Sequence, residues 1–307
     1  MTHMKKVLLI ARARSDEAKQ KANNFADRIR ALIGDDIAIE NCEITELMFE
    51  VSQDGMAIYH PQKGFDLREF DLVVIRHIGA YAVEAHAITL YCQHLGIKYT
   101  DEYLNRLLLD NKLSTEFLLW LHGVTQQPRT FYGPTDELVK KLDDLGGKAV
   151  LKDNEGSKGR LNFVVHSADE IRAITTEHAD VHFLLQEFIP NDSDLRVLVL
   201  NGKPKLVIKR SGDGSTHLNN TSQGGQAAIV PLSEISESIL DVATRAANIT
   251  KLQVAGVDVV INKETGAFSI LEVNNAPQIS SGSFMEEKAA LYTDMLREML
   301  EKPSTES

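Results

Sequence analysis

The chain has 307 residues, of which 43% are hydrophobic and 25% are charged, and its formal net charge is −11. This composition is typical of globular proteins, and the length allows two or three packed units. The acidic balance argues against nucleic acid as the main partner. The sequence contains no apolar run long enough to span a membrane, and we expect a cytoplasmic protein without a targeting segment.

The N-terminal third alternates between apolar strands and helices. Strands are predicted for KKVLLIA, DIAIENCEI, FDLVVIR and IKYT, and helices for Ser15 to Leu32 and Ala82 to His94. This alternation predicts a parallel sheet covered by helices on both faces. The third strand ends in Arg76 and His77, and ligands of open α/β sheets bind beyond the carboxyl ends of the strands. Arg76 and His77 are therefore candidate substrate-binding residues, although either could be purely structural.

The pattern changes from about Asn105, where a long helix is predicted to run through Leu121. Strand pairs with Gly and Pro turns follow it, including a hairpin around NGKP that links LRVLVL to KLVIKR. An amphipathic helix from Ser233 to Lys251 is predicted to cover the last sheet. The two cysteines, Cys42 and Cys92, are far apart in the chain and are expected to be ordinary thiols.

A glycine-containing loop separates two of these strands in KAVLKDNEGSKGRLNFVV. Lys152 ends the first strand, and Gly156 and Gly159 flank Ser157 in the loop. Glycines let backbone N–H groups approach phosphate oxygens closely, and a strand would hold Lys152 as a fixed positive charge. This is not a Walker A loop, because no GxxxxGK[ST] occurs and a strand follows the loop. By itself such a hairpin is more often an ordinary surface turn.

The segment LEVNNAPQ predicts a cation site. Glu272 and Asn274 are two residues apart on a predicted strand, so their side chains lie on one face. A hairpin centred near Thr265 would place Asp258 of the preceding strand directly across from Glu272. Each residue alone is more often solvated, but together they offer the oxygen ligands that Mg²⁺ prefers. The flanking residues are apolar, and a bound dication would be the simplest compensation for buried carboxylates.

The order of these motifs resembles the ATP-grasp superfamily and, within it, the RimK-like glutamate ligases. The resemblance extends from about Asp71 to Pro277 and also rests on the segments QEFI, DLRV and IKR, and on Asn220 ahead of two glycines. It implies an α/β ATP-grasp fold, in which a parallel α/β N-terminal domain precedes two α+β subdomains that clasp ATP. The implied units are an N-terminal domain (1–105), a central subdomain with the lid loop (106–185), a C-terminal subdomain with the metal site (186–302) and a disordered tail (303–307).

The resemblance also implies roles for individual residues. Arg210 and Lys152 would be catalytic, with Arg210 steadying the transferred phosphoryl group. The hinge from Gln186 to Ile189 would hold the adenine edge through its backbone, with Glu187 near the base or ribose. The residues implied to bind ATP are Lys112, Lys152, Gly156, Ser157, Gly159, Gln186, Glu187, Phe188, Ile189, Asp194, Arg196 and Asn220. Those implied to bind Mg²⁺, or Mn²⁺ in its place, are Asp258, Glu272 and Asn274.

The implied activity is ATP-dependent joining of a carboxylate to an amine, with ADP and phosphate as products. The acid would be an amino acid such as glutamate, and the amine a peptide, a protein or a small molecule. A macrocyclising peptide ligase, a small-molecule kinase and a non-catalytic nucleotide-binding regulator are the alternatives, and a homo-oligomer is left open. The chain departs from the family at His77, because the RimK-like pattern has an arginine there and this chain has it at Arg76. The departure leaves the acid and the amine open.

Overall fold

The structure, a computed structural model, describes residues 4–12, 15–52, 55–76, 78, 81–106, 111–156, 160–212 and 226–301. Four of the candidate residues, His77, Ser157, Gly159 and Asn220, lie outside the described residues, as does the segment 303–307. None of the described helices combines the length and the apolar composition that a membrane span requires.

The N-terminal part contains the predicted parallel sheet. Its elements are β1 (Lys5–Ala11), α1 (Asp16–Ile33), β2 (Ile37–Glu43), β3 (Met48–Ser52), β4 (Gly55–His60), β5 (Phe65–Asp66), β6 (Leu72–Arg76), α2 (Ala82–Leu95) and β7 (Lys98–Thr100). The sheet has the order β2-β1-β6-β7, and all of its neighbouring strands are parallel. Val7 packs with Ile29 of α1, whereas Leu8 packs with Ile88 of α2. Alternate β1 residues therefore face helices on opposite sides, as predicted.

A small antiparallel sheet in this part is not predicted by the sequence patterns above. It has the order β3-β4-β5 and lies between β2 and β6 in the chain. The β3–β4 register ends with Ser52 opposite Gly55, and the sequence there contains the dipeptide Asp54-Gly55. An Asp-Gly pair between apolar runs is a hairpin signal, so the sequence did hold the information needed to find this sheet.

The central part forms its own antiparallel sheet. Its elements are α3 (Lys112–Leu121), β8 (Thr130–Tyr132), α4 (Thr135–Lys141), β9 (Ala149–Asp153), β10 (Asn162–Val165), α5 (Ala168–Glu177) and β11 (Phe183–Glu187). The strand order is β10-β9-β11-β8, and α4 and α5 pack on it around Leu151 and Leu185. The prediction that α3 starts near Asn105 is wrong. Its N-cap is Asn111, whose Oδ1 accepts a 2.8 Å hydrogen bond from Ser114 N, so the helix begins at Lys112.

The C-terminal part is a five-stranded antiparallel sheet with the order β14-β13-β12-β15-β16. Its elements are β12 (Asp194–Leu200), β13 (Lys203–Ser211), β14 (Gln226–Val230), α6 (Glu237–Ile249), β15 (Val254–Ile261), β16 (Phe268–Asn274) and α7 (Met285–Glu301). The predicted amphipathic helix is α6, which starts four residues after Ser233 because 232–234 form a separate 3₁₀ turn. Helix α7 is not predicted.

The two faces of this sheet have different partners. On β12, Leu195, Val197 and Val199 pack in a core with α6. Leu198 and Leu200 point to the other face and pack in a core that also contains residues of α1, α7, β1 and β6. This second core joins the N-terminal sheet to the C-terminal sheet. Asp194 and Arg196, at the start of the same strand, share its face, so one end of the face is polar and the other is apolar.

Each predicted domain range contains its own main sheet, and the predicted boundary at 185/186 falls inside β11. The boundaries themselves remain predictions.

Candidate active site

The polar end of the sheet face carries the predicted metal ligands. Asp258 of β15 lies directly across from Glu272 of β16, as the hairpin prediction requires, and Asn274 lies across from Gly256. The register shifts immediately beyond Asp258, where Leu271 is an extra residue in β16. This bulge allows both Ile270 and Val273 to reach the α6 core, although they are three residues apart. Glu272 and Asn274 then remain together on the opposite face.

Arginines from the two neighbouring strands meet these carboxylates. Arg196 lies opposite Asp258 in the β12–β15 register, and Asp194 lies opposite Arg210 in the β12–β13 register. The Nε and Nη2 atoms of Arg196 both donate to Asp258. Arg210 donates to both oxygens of Asp194 at 2.6 and 2.9 Å, and its Nη2 also lies 2.9 Å from Asp258 Oδ1. The result is a buried network of two guanidiniums and two carboxylates on the floor of the site.

This network corrects the expectation that a bound dication is the simplest compensation for Asp258. Burial acts to raise the pKa of Asp258, but Arg196 and Arg210 outweigh it, so the pKa is lowered and the carboxylate is ionised. The compensation is therefore supplied by guanidiniums from two neighbouring strands. The sequence of the β15–β16 hairpin contains no sign of these guanidiniums, because they belong to β12 and β13.

Glu272 differs from Asp258 in forming no direct ion pair with a guanidinium among the described residues. Burial, followed by the charge of Asp258, raises the pKa of Glu272, while Lys112, Arg196 and Lys152 act in the opposite direction. No group among the described residues donates a hydrogen bond to its carboxylate. Asn274 Nδ2 donates to Gly256 O and to Asp258 Oδ2 at 3.2 and 3.3 Å, which leaves its Oδ1 as an acceptor. Glu272 and Asn274 thus fit a hard cation, with Asp258 beside them.

Two lysines of the central part lie near Glu272. Lys112, the first residue of α3, donates from Nζ to the carbonyl of Gly156 in the glycine loop. Lys152 Nζ donates to Gln186 Oε1 at 2.5 Å. Burial lowers the pKa of Lys152, and Glu272 and Glu116 oppose this shift. The lysines and Glu272 are therefore close enough to interact electrostatically, as a site for anionic phosphates beside a cation requires.

A cleft with about 670 Å³ of open space lies between α3, the segment 154–156 and the end of β16. Its walls include Lys112, Glu116, Gly156, Glu272 and Asn274. This volume includes space that is open to solvent, so the cleft is a groove at the surface.

The predicted hinge is only partly as expected. The Glu187 carboxylate accepts a 3.1 Å hydrogen bond from Arg129 N, and Glu187 N donates to Arg129 O at 2.8 Å. Its side chain therefore binds the backbone just before β8, and its place near the base or ribose remains a prediction. The Phe188 ring faces Lys148 Nζ at 3.6 Å, and Ile189 O accepts from Asn191 Nδ2.

Arg76 lies near the loop that follows β16. Its Nη2 donates to Pro277 O at 3.1 Å, its guanidinium lies 5.9 Å from the centre of the Tyr292 ring, and its buried Nη1 has no partner among the described residues. Pro277 and Arg196 pack over Gly256, where a Cβ would lie 2.8 Å from Pro277 Cβ. Arg76 therefore contacts Pro277, and Pro277 lies beside Arg196 of the arginine network.

Sequence reasoning missed two buried charged residues in this region. Glu116 hydrogen-bonds to Gln186, and it is four residues from Lys112, so helical spacing could have placed both on one face. Lys288 of α7 donates to the carbonyls of Gln278 and Ser281, and no sequence signal marked it because α7 itself was not predicted. Cys42 and Cys92 are buried, and burial raises the pKa of each thiol to about 12, which fits the expected absence of a catalytic role.

Comparison with known proteins agrees with this geometry. A family model described as the RimK-like ATP-grasp domain matches residues 109–299. A probable alpha-L-glutamate ligase of Xanthomonas euvesicatoria pv. vesicatoria (strain 85-10) is 30% identical over 234 residues, which cover 74% of this chain and 76% of the relative. The corresponding protein of Aliivibrio fischeri (strain MJ11) is 27% identical over 220 residues, which cover 70% of this chain and 71% of that protein.

Solved structures show the same fold over nearly the whole chain. The ATP-grasp ligase PsnB, complexed with a phosphomimetic variant of its minimal precursor, Mg and ADP, superimposes with a TM-score of 0.70 at 16% identity, covering 98% of this chain and 100% of that one. D-alanine–D-alanine ligase from Bacillus anthracis, complexed with ATP, gives a TM-score of 0.67 at 17% identity, with coverage of 96% and 97%. These matches confirm the predicted fold class, and the chain belongs to the RimK-like ATP-grasp family of carboxylate-amine ligases.

Proposed function

We propose that the protein joins a carboxylate to an amine through an acyl phosphate and releases ADP and phosphate. The observation that carries this proposal is the arrangement around Glu272, where two buried guanidiniums and two lysines surround one polar sheet end. Phosphoryl transfer needs charge neutralisation and alignment more than it needs a nucleophilic side chain. This end of the sheet offers charge neutralisation through its cations. It offers alignment because the register of the strands fixes the positions of Arg196 and Arg210.

The lysines and the oxygen ligands have distinct proposed roles. Lys112 and Lys152 would bind the nucleotide phosphates, and Glu272 and Asn274, with Asp258, would hold Mg²⁺ or, in its place, Mn²⁺. When bound, the cation supplies positive charge to the phosphate oxygens. Glu272 supports this assignment, because it is a half-buried carboxylate that accepts no hydrogen bond among the described residues, and a cation would stabilise it.

Arg210 is the proposed clamp for the transferred group. Three interactions with Asp194 and Asp258 fix its guanidinium, so its orientation does not depend on substrate. These interactions occupy Nε–H and both hydrogens of Nη2, so the two N–H groups of Nη1 are the donors that remain for a phosphoryl or carboxylate oxygen. Asp194 and Arg196 would then act as the support for this clamp, on the floor of the site.

The proposed acid is an amino acid such as glutamate, and the proposed amine is a peptide, a protein or a small molecule. Curated relatives named probable alpha-L-glutamate ligases support the first proposal. Arg76 would contribute to substrate binding, because it carries a buried N–H without a partner among the described residues and lies beside the loop after β16. A macrocyclising peptide ligase is the second candidate. Similar folds solved with precursor peptides, such as the macrocyclase MdnC of Microcystis aeruginosa MRC (TM-score 0.68, 12% identity), favour it.

The test is a screen of amino acids and peptides, alone and in pairs, for stimulated release of phosphate from ATP, with product masses measured directly. A ligase is expected to release phosphate only when an acid is present and to yield a product of the mass of acid plus amine minus water. A product heavier than the substrate by one phosphoryl group would identify a kinase. Binding of ATP without turnover in any mixture would favour a regulator.

A further inference from the structure

The side-chain amide of Gln186 lies in a fully polar buried environment. It is 1% exposed, and its Oε1 accepts from Lys152 Nζ at 2.5 Å. Its Nε2 donates to Glu116 Oε1 and to Thr130 Oγ1, both at 2.9 Å. The Gln186 amide therefore contacts three different elements, because Glu116 belongs to α3, Thr130 to β8 and Lys152 to β9.

The chemistry of these neighbours determines which way the amide points. An ammonium has only donors, so Lys152 must face the oxygen, and an ionised carboxylate has only acceptors, so Glu116 must face the nitrogen. An inverted amide would place an N–H against an ammonium and an oxygen against a carboxylate. The two charged contacts therefore fix the orientation. The Thr130 hydroxyl, which donates to Pro128 O at 3.0 Å, is compatible with it as an acceptor from Gln186.

Of these contacts, Lys152 is the one that nucleotide binding would change, since it is proposed to bind phosphates. If Lys152 turns toward a phosphate, Glu116 and Thr130 still hold Nε2, and Oε1 is left as an acceptor. Gln186 also begins the hinge proposed to lie along the edge of the base. An acceptor at this position can accept a hydrogen bond from an exocyclic amino group, as in adenine. It would repel a carbonyl oxygen at the same place, as in guanine.

We propose that Glu116 is a positioning residue that holds the Gln186 amide with its oxygen toward Lys152, and thereby selects a nucleotide with an amino group over one with a carbonyl. The inference deepens the proposed function and rests on its assignment of a nucleotide to this cleft. Glu116 would not touch the reacting atoms. It would act through Gln186, so its replacement should change base discrimination more than the chemical step.

The experiment measures the dissociation constants of MgADP and MgGDP by calorimetry on the full chain. Wild type should prefer MgADP. Glu116→Leu removes the carboxylate acceptor, and we expect the ratio of the two constants to fall by about tenfold, the scale of one hydrogen bond to a charged group. Glu116→Gln keeps the shape but can present either a donor or an acceptor, so it should give an intermediate ratio. Glu155→Gln, at an exposed residue of the same cleft, should keep the wild-type ratio.

A general loss of packing would weaken both nucleotides equally and leave their ratio unchanged, so the ratio separates positioning from a structural role. If Glu116→Leu or the isosteric Glu116→Gln folds and keeps the wild-type ratio, the role of Glu116 is wrong while the ligase proposal stands. If wild type binds neither nucleotide, the assignment of a nucleotide to this cleft is wrong, and both proposals fall.

Discussion

Glu272→Gln is expected to reduce ATP turnover at least a hundredfold while the protein remains folded. The change removes a carboxylate that forms no ion pair and accepts no hydrogen bond among the described residues, and with it the main charge that would hold the cation. Without a cation, the same change relieves repulsion between Glu272 and Asp258, so the Tm should equal or exceed that of wild type. Phosphate release and thermal unfolding measure the two effects.

The matched control is Glu264→Gln, at an exposed position in the turn of the same hairpin, which should keep wild-type turnover. Asn274→Ala should lose turnover in the same way as Glu272→Gln, because it removes the neighbouring oxygen ligand. Full turnover in both Glu272→Gln and Asn274→Ala would contradict the metal assignment. A large drop in Tm for Glu272→Gln would show that the carboxylate is a structural group instead.

Arg210→Lys is expected to retain ATP binding and to lose product formation by about a hundredfold, the scale of one well-placed transition-state donor. Lysine keeps the positive charge, but its ammonium cannot reproduce the planar set of bonds to Asp194 and Asp258 while also donating to a phosphoryl group. The measurement compares the dissociation constant of ATP with the rate of product formation.

Lys209→Gln is the control for this substitution, because Lys209 is the neighbouring residue on β13 and its side chain is exposed. It should leave both quantities unchanged. If Arg210→Lys forms product within a few-fold of the wild-type rate, Arg210 serves only to compensate the buried aspartates.

The facing positions of Asp258 and Glu272 could be predicted because a hairpin fixes register through its turn. Gly266 adopts a φ of +73°, and Asn262 Oδ1 accepts from Glu264 N and Thr265 N, so the turn residues enforce the geometry that the sequence suggested. The alternation of strands and helices in the N-terminal part was equally readable, because each element carries its own apolar period.

The arginine network could not be derived in the same way. β12 and β15 are distant in the chain, so no short sequence pattern predicts which of their residues lie opposite each other. Glu116 illustrates a second limit, because its role depends on a partner seventy residues away in sequence. Helical spacing could place it beside Lys112, but only the packed structure brings it to Gln186.

Trapping with hydroxylamine measures whether the enzyme activates a carboxylate as an acyl phosphate. Wild-type enzyme is incubated with ATP, Mg²⁺ and each acid that stimulates phosphate release, with hydroxylamine in place of the amine. We expect a hydroxamate of that acid, formed only when ATP is present and in proportion to the phosphate released. A stable phosphorylated alcohol, or no hydroxamate from any acid that stimulates phosphate release, would contradict the acyl phosphate and indicate phosphoryl transfer to another acceptor.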